Sequence, residues 1–253
     1  MTTLVLAEGM ATSFAYSVAA RRSPDRSISQ DAHFLHPAAG VFLVADGLGG
    51  HEDGEIASRA VAEIVRRVVV SGQSHDERCR GIETGLHAIN RTLRREAARR
   101  SGAAVVGSTV ALVVIGEDAL VGMWVGDSRV YLLRDGGLVQ LTRDHTFTAE
   151  LGIAGQRGQA LTRAIGSSDD LRVDRFVGPI VDGDTLLLCS DGVTKVLDDG
   201  VIADLMGEPV GGLAERLLAR AVVAGGRDDM TAVLVRIRSL VEPSRRGGGR
   251  GRR

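Results

Sequence analysis

The chain has 253 residues, 44% of them hydrophobic, enough to bury a sizeable core as one layered or all-β unit. Acids and bases nearly cancel (32 Asp and Glu against 31 Lys and Arg), which excludes the uniform field of a nucleic-acid or anionic-membrane binder. Two cysteines, Cys79 and Cys189, exclude a disulfide framework and a zinc-ligand spacing, and no apolar run approaches the ~20 residues that span a bilayer.

The opening MTTLVLAEGM lacks the basic region and apolar core of a signal peptide, so a soluble, cytoplasmic protein is expected. Residues 1–12 read as a loose lead-in and Phe14–Val18 as a first strand. The polar segment RRSPDRSISQDAHF contains Pro24 and no helical period, so it reads as a loop leading into a short strand. Val41–Ala45 is an apolar run of buried-strand length. From Asp53 the period becomes helical, with Ile56, Ala60, Ile64 and Val68 on one face and Ser71-Gly72 as the stop. A second helix carries Ile82, Leu86, Ile89 and Leu93, with the arginine run near residue 95 on its solvated side.

Beyond Gly107 the runs STVALVVI, LVGMWVG, RVYLLRDGGLVQL and DTLLLCS read as strands separated by turns such as Arg134–Gly137. Short strands at close spacing predict antiparallel pairing in a sandwich. The stretch between Asp144 and Leu161 has no clear period. A last helix is predicted over Val210–Val223, with Leu213, Leu217 and Val222 inward, and a final strand over Met230–Ile237. The low-complexity tail SRRGGGRGRR is predicted to be disordered. Helices set apart from a block of strands predict an α+β layered fold around one core, with no break before the tail.

Acids recur beside glycine where apolar runs end. Val41–Val44 stops at Asp46-Gly47, and LVGMWVGDSR presents Asp127. TLLLCSDG delivers Asp191-Gly192, and GGRDDMTAVLVRI opens a strand with Asp228-Asp229. Any one of these is an ordinary turn. Turns do not require an acid at every one of these strand ends, because Asn, Ser and Gly serve equally well. Carboxylates gathered at one end of a sheet repel unless cations lie among them, and an oxygen-only site suits Mg²⁺ or Mn²⁺. Lys195 is the chain's one lysine, so arginine is the default base and its presence at a given position says little by itself.

With these strand ends placed, seven ordered blocks resemble the metal-dependent protein phosphatases of the protein phosphatase 2C type in their bacterial form. The blocks are RSISQDAH (26–33), VADGLGGHEDGEIAS (44–58), GSTV (107–110), VGDSRVYLLRDGGLVQLTRDH (125–145), LTRAIG (161–166), LCSDGV (188–193) and GRDDMTAVLV (226–235). The resemblance implies a phosphatase domain over 13–238, followed by the disordered tail 239–253. It implies a four-layer α-β-β-α sandwich, with two central antiparallel sheets flanked by helices. It also implies hydrolysis of phosphoserine and phosphothreonine by a hydroxide held between two divalent ions, Mn²⁺ or Mg²⁺.

Carried over by position, Asp46 bridges the ions, the Gly47 carbonyl ligates one, and Asp191 and Asp228 complete the second. Asp127 together with Asp191 holds a weaker third ion, Asp31 orders metal-bound water, and Arg26 binds the substrate phosphate. The implied partners are phosphorylated proteins and a Ser/Thr kinase, with no nucleic acid, no membrane and a monomeric state. Departures from the family pattern are Ser29-Gln30-Asp31 for Asn-Glu-Asp or Asn-Gln-Asp, Asp229 for Asn, a short stretch between His145 and Leu161, and Leu48 where eukaryotic relatives have a catalytic histidine. His51 does not align with that histidine and reads as structural or as a support behind the metal ligands. The competing readings are a catalytically inactive phosphoprotein binder and a small-molecule phosphomonoesterase. The retained Asp46, Asp191 and Asp228 argue against the first.

Overall fold

The computed structural model describes residues 3–6, 12–49, 53–99, 106–117, 119–152 and 160–239. Two antiparallel sheets form its centre. Sheet I runs β1 (Thr3–Leu6), β2 (Thr12–Arg21), β12 (Met230–Ser239), β11 (Thr185–Cys189), β8 (Arg129–Arg134), β9 (Gly137–Gln140). Sheet II runs β10 (Asp174–Pro179), β7 (Ala119–Val125), β6 (Val110–Ile115), β4 (Val41–Leu48), β3 (Asp31–His36), with β5 (Gly107–Ser108) paired to the end of β4. The segment expected as a loose lead-in therefore contains a strand, which pairs along β2.

The central strands are continuously apolar because both of their faces are buried. On β4, Phe42 and Val44 face sheet I, while Val41, Leu43 and Ala45 face the helices. On β11, Leu186 and Leu188 face sheet II, while Leu187 and Cys189 meet the opposite helix layer. Phe42 lies edge-on to Phe14 at 5.8 Å between ring centroids, joining the two sheets at their middle. Each such fully buried side chain contributes roughly 1.5–3 kcal/mol.

Two helices, α1 (Asp53–Val68) and α2 (His75–Arg99), cover sheet II. Against sheet I pack α5 (Asp199–Met206) and α6 (Leu213–Val223), while the short helices α3 (Phe147–Leu151) and α4 (Asp191–Thr194) sit in loops. The layers follow as α-β-β-α. Helix α1 opens on Asp53 and Glu55 and closes on Arg66 and Arg67, charges that suit its dipole at both ends. Its sheet-facing stripe is Ala57, Val61 and Val65, one residue on from the predicted face. Ile64 and Val68 turn toward α2, and Ile56 is exposed. Size misled the reading, since the sheet surface takes the smaller side chains. Helix α6 likewise buries Leu213, Leu217 and Ala221, with Val222 only half-buried.

Candidate active site

The acids meet where the chain crosses between the sheets. Residues 22–30 carry it from β2 in sheet I to β3 in sheet II, and Gly126–Ser128 carry it back from β7 to β8. Asp31 opens β3 directly opposite Asp46 on β4. The Asp46 main chain is fixed on both sides. Its N–H donates to Thr109 Oγ1 at 3.0 Å, and its carbonyl accepts from the Thr109 N–H at 2.8 Å and Ser108 Oγ at 3.0 Å. At Gly47 a Cβ would collide with the Gly54 and Gln30 carbonyls, so only glycine fits. Asp191 begins α4 immediately after β11, and Asp228 lies just before β12, the partner strand of β11. A Cβ at Gly192 would strike the Asp229 carbonyl, so α4 packs tightly on the entry to β12.

The crossings and the neighbouring strand ends bring the predicted residues into one cleft of about 470 Å³, lined by Arg26, Asp46, Asp127, Asp191, Lys195 and Asp228 among others. Ser190 ties the two sheets together at its floor. Its hydroxyl donates to Asp31 Oδ2 at 2.7 Å and accepts from the Thr231 N–H at 2.9 Å. Arg26 Nη1 donates to Asp228 Oδ1 at 3.1 Å and to Asp229 Oδ2 at 2.6 Å. Lys195 Nζ pairs with Asp191 Oδ2 at 2.6 Å and Asp228 Oδ2 at 2.9 Å.

The electrostatics are those of crowded carboxylates. Burial, then the charges of Asp31, Asp191, Asp127 and Asp228, holds the Asp46 carboxyl well above its ordinary range. Burial pushes Asp31 up to about 7, against the opposing Ser190 and Thr231 hydroxyls and with help from the Asp229 and Asp191 charges. Asp127 is likewise pushed up to about 7, by burial first and then by Asp191 and Asp144. Asp228 goes the other way. Burial acts to raise it, but Lys195, the Asp229 N–H and Arg26 together hold it below the usual carboxylate value.

Divalent metal dependence can be tested against these residues. The donors are hard oxygens, four carboxylates and a carbonyl, as Mg²⁺ or Mn²⁺ require. Asp31 Oδ1 and the Thr231 hydroxyl that acts on its pKa are both buried without a hydrogen bond of good geometry, so the cleft floor offers an acceptor that the protein satisfies poorly. Among the described residues no three acidic, histidine or cysteine side chains converge as a ready-made cation cage. Asp191 and Asp228 are turned onto Lys195 instead. In kind and in charge the residues fit a divalent ion.

Every predicted site residue thus lies in or beside the cleft: Arg26, Asp46, Gly47, Asp127, Asp191 and Asp228 on its wall and Asp31 beneath it. Leu48 lines it as well. His51 and residues 153–159 of the short stretch lie outside the described residues. Three residues were missed. Asp229, which is 2% exposed, accepts from the Ser23 N–H at 2.7 Å and the Gln30 N–H at 2.9 Å as well as from Arg26, a load that uses both carboxylate oxygens. An asparagine, with one acceptor oxygen, could not carry it. His145 accepts the Gly126 N–H on Nδ1 at 3.1 Å, so its proton sits on Nε2, facing Asp174 at 3.2 Å. Its ring stacks on Trp124 and holds the Val125–Gly126 peptide, and its main-chain N–H donates at 3.0 Å to the Gly126 carbonyl, on the peptide that leads into Asp127. Lys195 was noted only for its rarity.

The comparisons with known proteins bear on this constellation directly. The family model described as Protein phosphatase 2C matches residues 20–230. The serine/threonine phosphatase stp of Listeria welshimeri serovar 6b is 30% identical over 220 residues, covering 81% of this chain and 87% of its own. PppA of Pseudomonas aeruginosa, described as a key regulatory component of T6SS, superimposes with a TM-score of 0.83 at 31% identity, over 88% of this chain and 97% of that one. The catalytic domain of the serine threonine protein phosphatase PstP, solved in complex with two manganese ions, has a TM-score of 0.78 at 26% identity, over 90% of this chain and 99% of that one. With the match running over residues 20–230, well over half of the chain and every acidic strand end, the chain belongs to the protein phosphatase 2C family.

Proposed function

We propose that the cleft is the active site of a metal-dependent protein serine/threonine phosphatase, in which Asp46, the Gly47 carbonyl, Asp191 and Asp228 hold two divalent ions. Mn²⁺ or Mg²⁺ is the natural occupant, and in this reading Asp127 with Asp191, both on the cleft wall, would hold a weaker third ion. One observation carries the reading: carboxylates delivered by separate strand ends of both sheets share one cleft with an arginine. Bound ions would supply charge neutralisation and an activated water. The chain's own residues do the rest. Arg26 presents its guanidinium over the cleft, where its fork suits the non-attacking oxygens of a phosphate. Asp31, with one oxygen fixed by Ser190 and the other poorly satisfied, is placed to accept a proton or orient a water. Leu48 donates nothing, so no side chain at that position protonates the leaving alkoxide.

The substrates in this reading are proteins bearing phosphoserine or phosphothreonine, set there by a Ser/Thr kinase, and the enzyme acts as a cytoplasmic monomer. Among the described residues no helix is long and apolar enough to cross a membrane. Turnover of a phosphothreonine peptide compared with a phosphorylated sugar tests the substrate class, and Asp191→Asn tests the site. The proposal requires preference for the peptide and its loss in the variant. Equal turnover of the sugar would favour the small-molecule reading, and peptide binding without turnover the inactive one.

A further inference from the structure

Two of the carboxylates proposed to hold metal already hold a cation that belongs to the chain. Lys195 caps α4, and its N–H donates to the Asp191 carbonyl at 2.8 Å. That helical turn lays its side chain back over Asp191, and Nζ reaches Asp191 Oδ2 and Asp228 Oδ2 together. The other oxygen of Asp228 is engaged by Arg26 at 3.1 Å and by the Asp229 N–H at 2.9 Å. Oδ2 is the Asp228 oxygen those two contacts leave over, and it is the one Lys195 takes. A Mg²⁺-like ion binds a carboxylate oxygen at about 2.0–2.1 Å. An ammonium pressed on the same two oxygens would stand against it as a like charge.

We propose that Lys195 is a built-in competitor for the metal. Its ammonium and a divalent ion contend for Asp191 Oδ2 and Asp228 Oδ2, so the site binds metal more weakly than its oxygen donors alone dictate. The inference rests on Asp191 and Asp228 being metal ligands. The side chain has somewhere to go: it is 37% exposed, lines the open cleft, and rides on a flexible four-carbon stem. Loading is then an exchange, in which the ammonium swings into the cleft as the ion enters. An exchange of this kind makes occupancy responsive to metal concentration rather than permanently saturated. The composition adds weight, since a chain that uses arginine everywhere else has a lysine here, where a compact, displaceable point charge differs most from a planar fork.

The test is Mn²⁺ binding to metal-stripped full-length protein, followed by the spectroscopic signal of free aqueous Mn²⁺. The proteins compared are the parent, Lys195→Gln, Lys195→Arg and Asp228→Asn. Lys195→Gln should bind Mn²⁺ about tenfold more tightly or better, while Lys195→Arg, which keeps the charge, stays within about threefold of the parent. Without metal, Lys195→Gln should melt at a lower temperature than the parent and gain more on adding Mn²⁺. Affinity in Lys195→Gln equal to or weaker than the parent overturns the competition. Parent-like affinity in Asp228→Asn overturns the ligand assignment itself, and the two failures are told apart by which variant shows them.

Discussion

Arg26 Nη1 donates to Asp229 Oδ2 at 2.6 Å, joining the loop that precedes β3 to the turn that precedes β12. The same carboxylate receives the Ser23 and Gln30 amides, so one buried acid organises the whole loop on which Arg26 rides. Asp229→Ala strands two buried N–H groups and removes the partner of a guanidinium. We expect a loss of roughly 2–4 kcal/mol in urea denaturation and a raised KM for phosphopeptide. Asp229→Asn keeps one acceptor and should lose about half as much. A stability change under about 0.5 kcal/mol in Asp229→Ala would show that the loop is held by other contacts.

Asp31 gives the molecule a pH-dependent weakness. Its carboxyl is pushed up to about 7 from an ordinary 3.8, so the folded chain keeps this proton over a range in which the unfolded chain has lost it. The resulting stability is fully present below the unfolded value and is lost as pH rises through about 7. Asp31→Asn cannot ionise. In metal-stripped protein the parent should therefore lose roughly 2–4 kcal/mol relative to Asp31→Asn between about pH 4 and pH 7.5. Parallel stability profiles for the two proteins would contradict the assignment.

His145 positions Asp127 without touching the cleft. Burial first, then the Arg163 charge, lowers its pKa against the opposing pull of Asp174, which keeps the ring neutral and Nδ1 free to accept the Gly126 N–H. His145→Phe preserves the stack on Trp124 but orphans that buried amide, at a cost of roughly 1–3 kcal/mol. His145→Ala also opens a cavity and should cost roughly 2–4 kcal/mol. Calorimetric melting of the two variants checks the ordering, and an equal loss in both would place the whole effect in the packing.

Much of this was legible in the chain, for a physical reason. Strands such as β4 and β11 are buried on both faces, so they stand out as unbroken apolar runs, and the acid that ends each run marks the rim of the sheet. Strand β10 was not legible: it is an edge strand alternating half-buried with exposed residues and ends in Gly178-Pro179. Helix α5 is 8 residues long, too short for a period to declare itself. The site's acids announced themselves by type and spacing. The groups that arrange them did not, because Asp229 acts on residues some 200 positions away, and Lys195 reaches Asp228 across 33. Contacts at such separations leave no local pattern.

The central claim is that Asp46 and its neighbouring carboxylates make this chain a metal-dependent protein phosphatase. The most direct measurement is phosphate release from a phosphothreonine peptide by metal-stripped protein, before and after addition of Mn²⁺ or Mg²⁺, with Asp46→Ala alongside. The account predicts release that depends on the added ion and falls at least about 100-fold in the variant. Release that persists in stripped protein, or that survives Asp46→Ala, would contradict it.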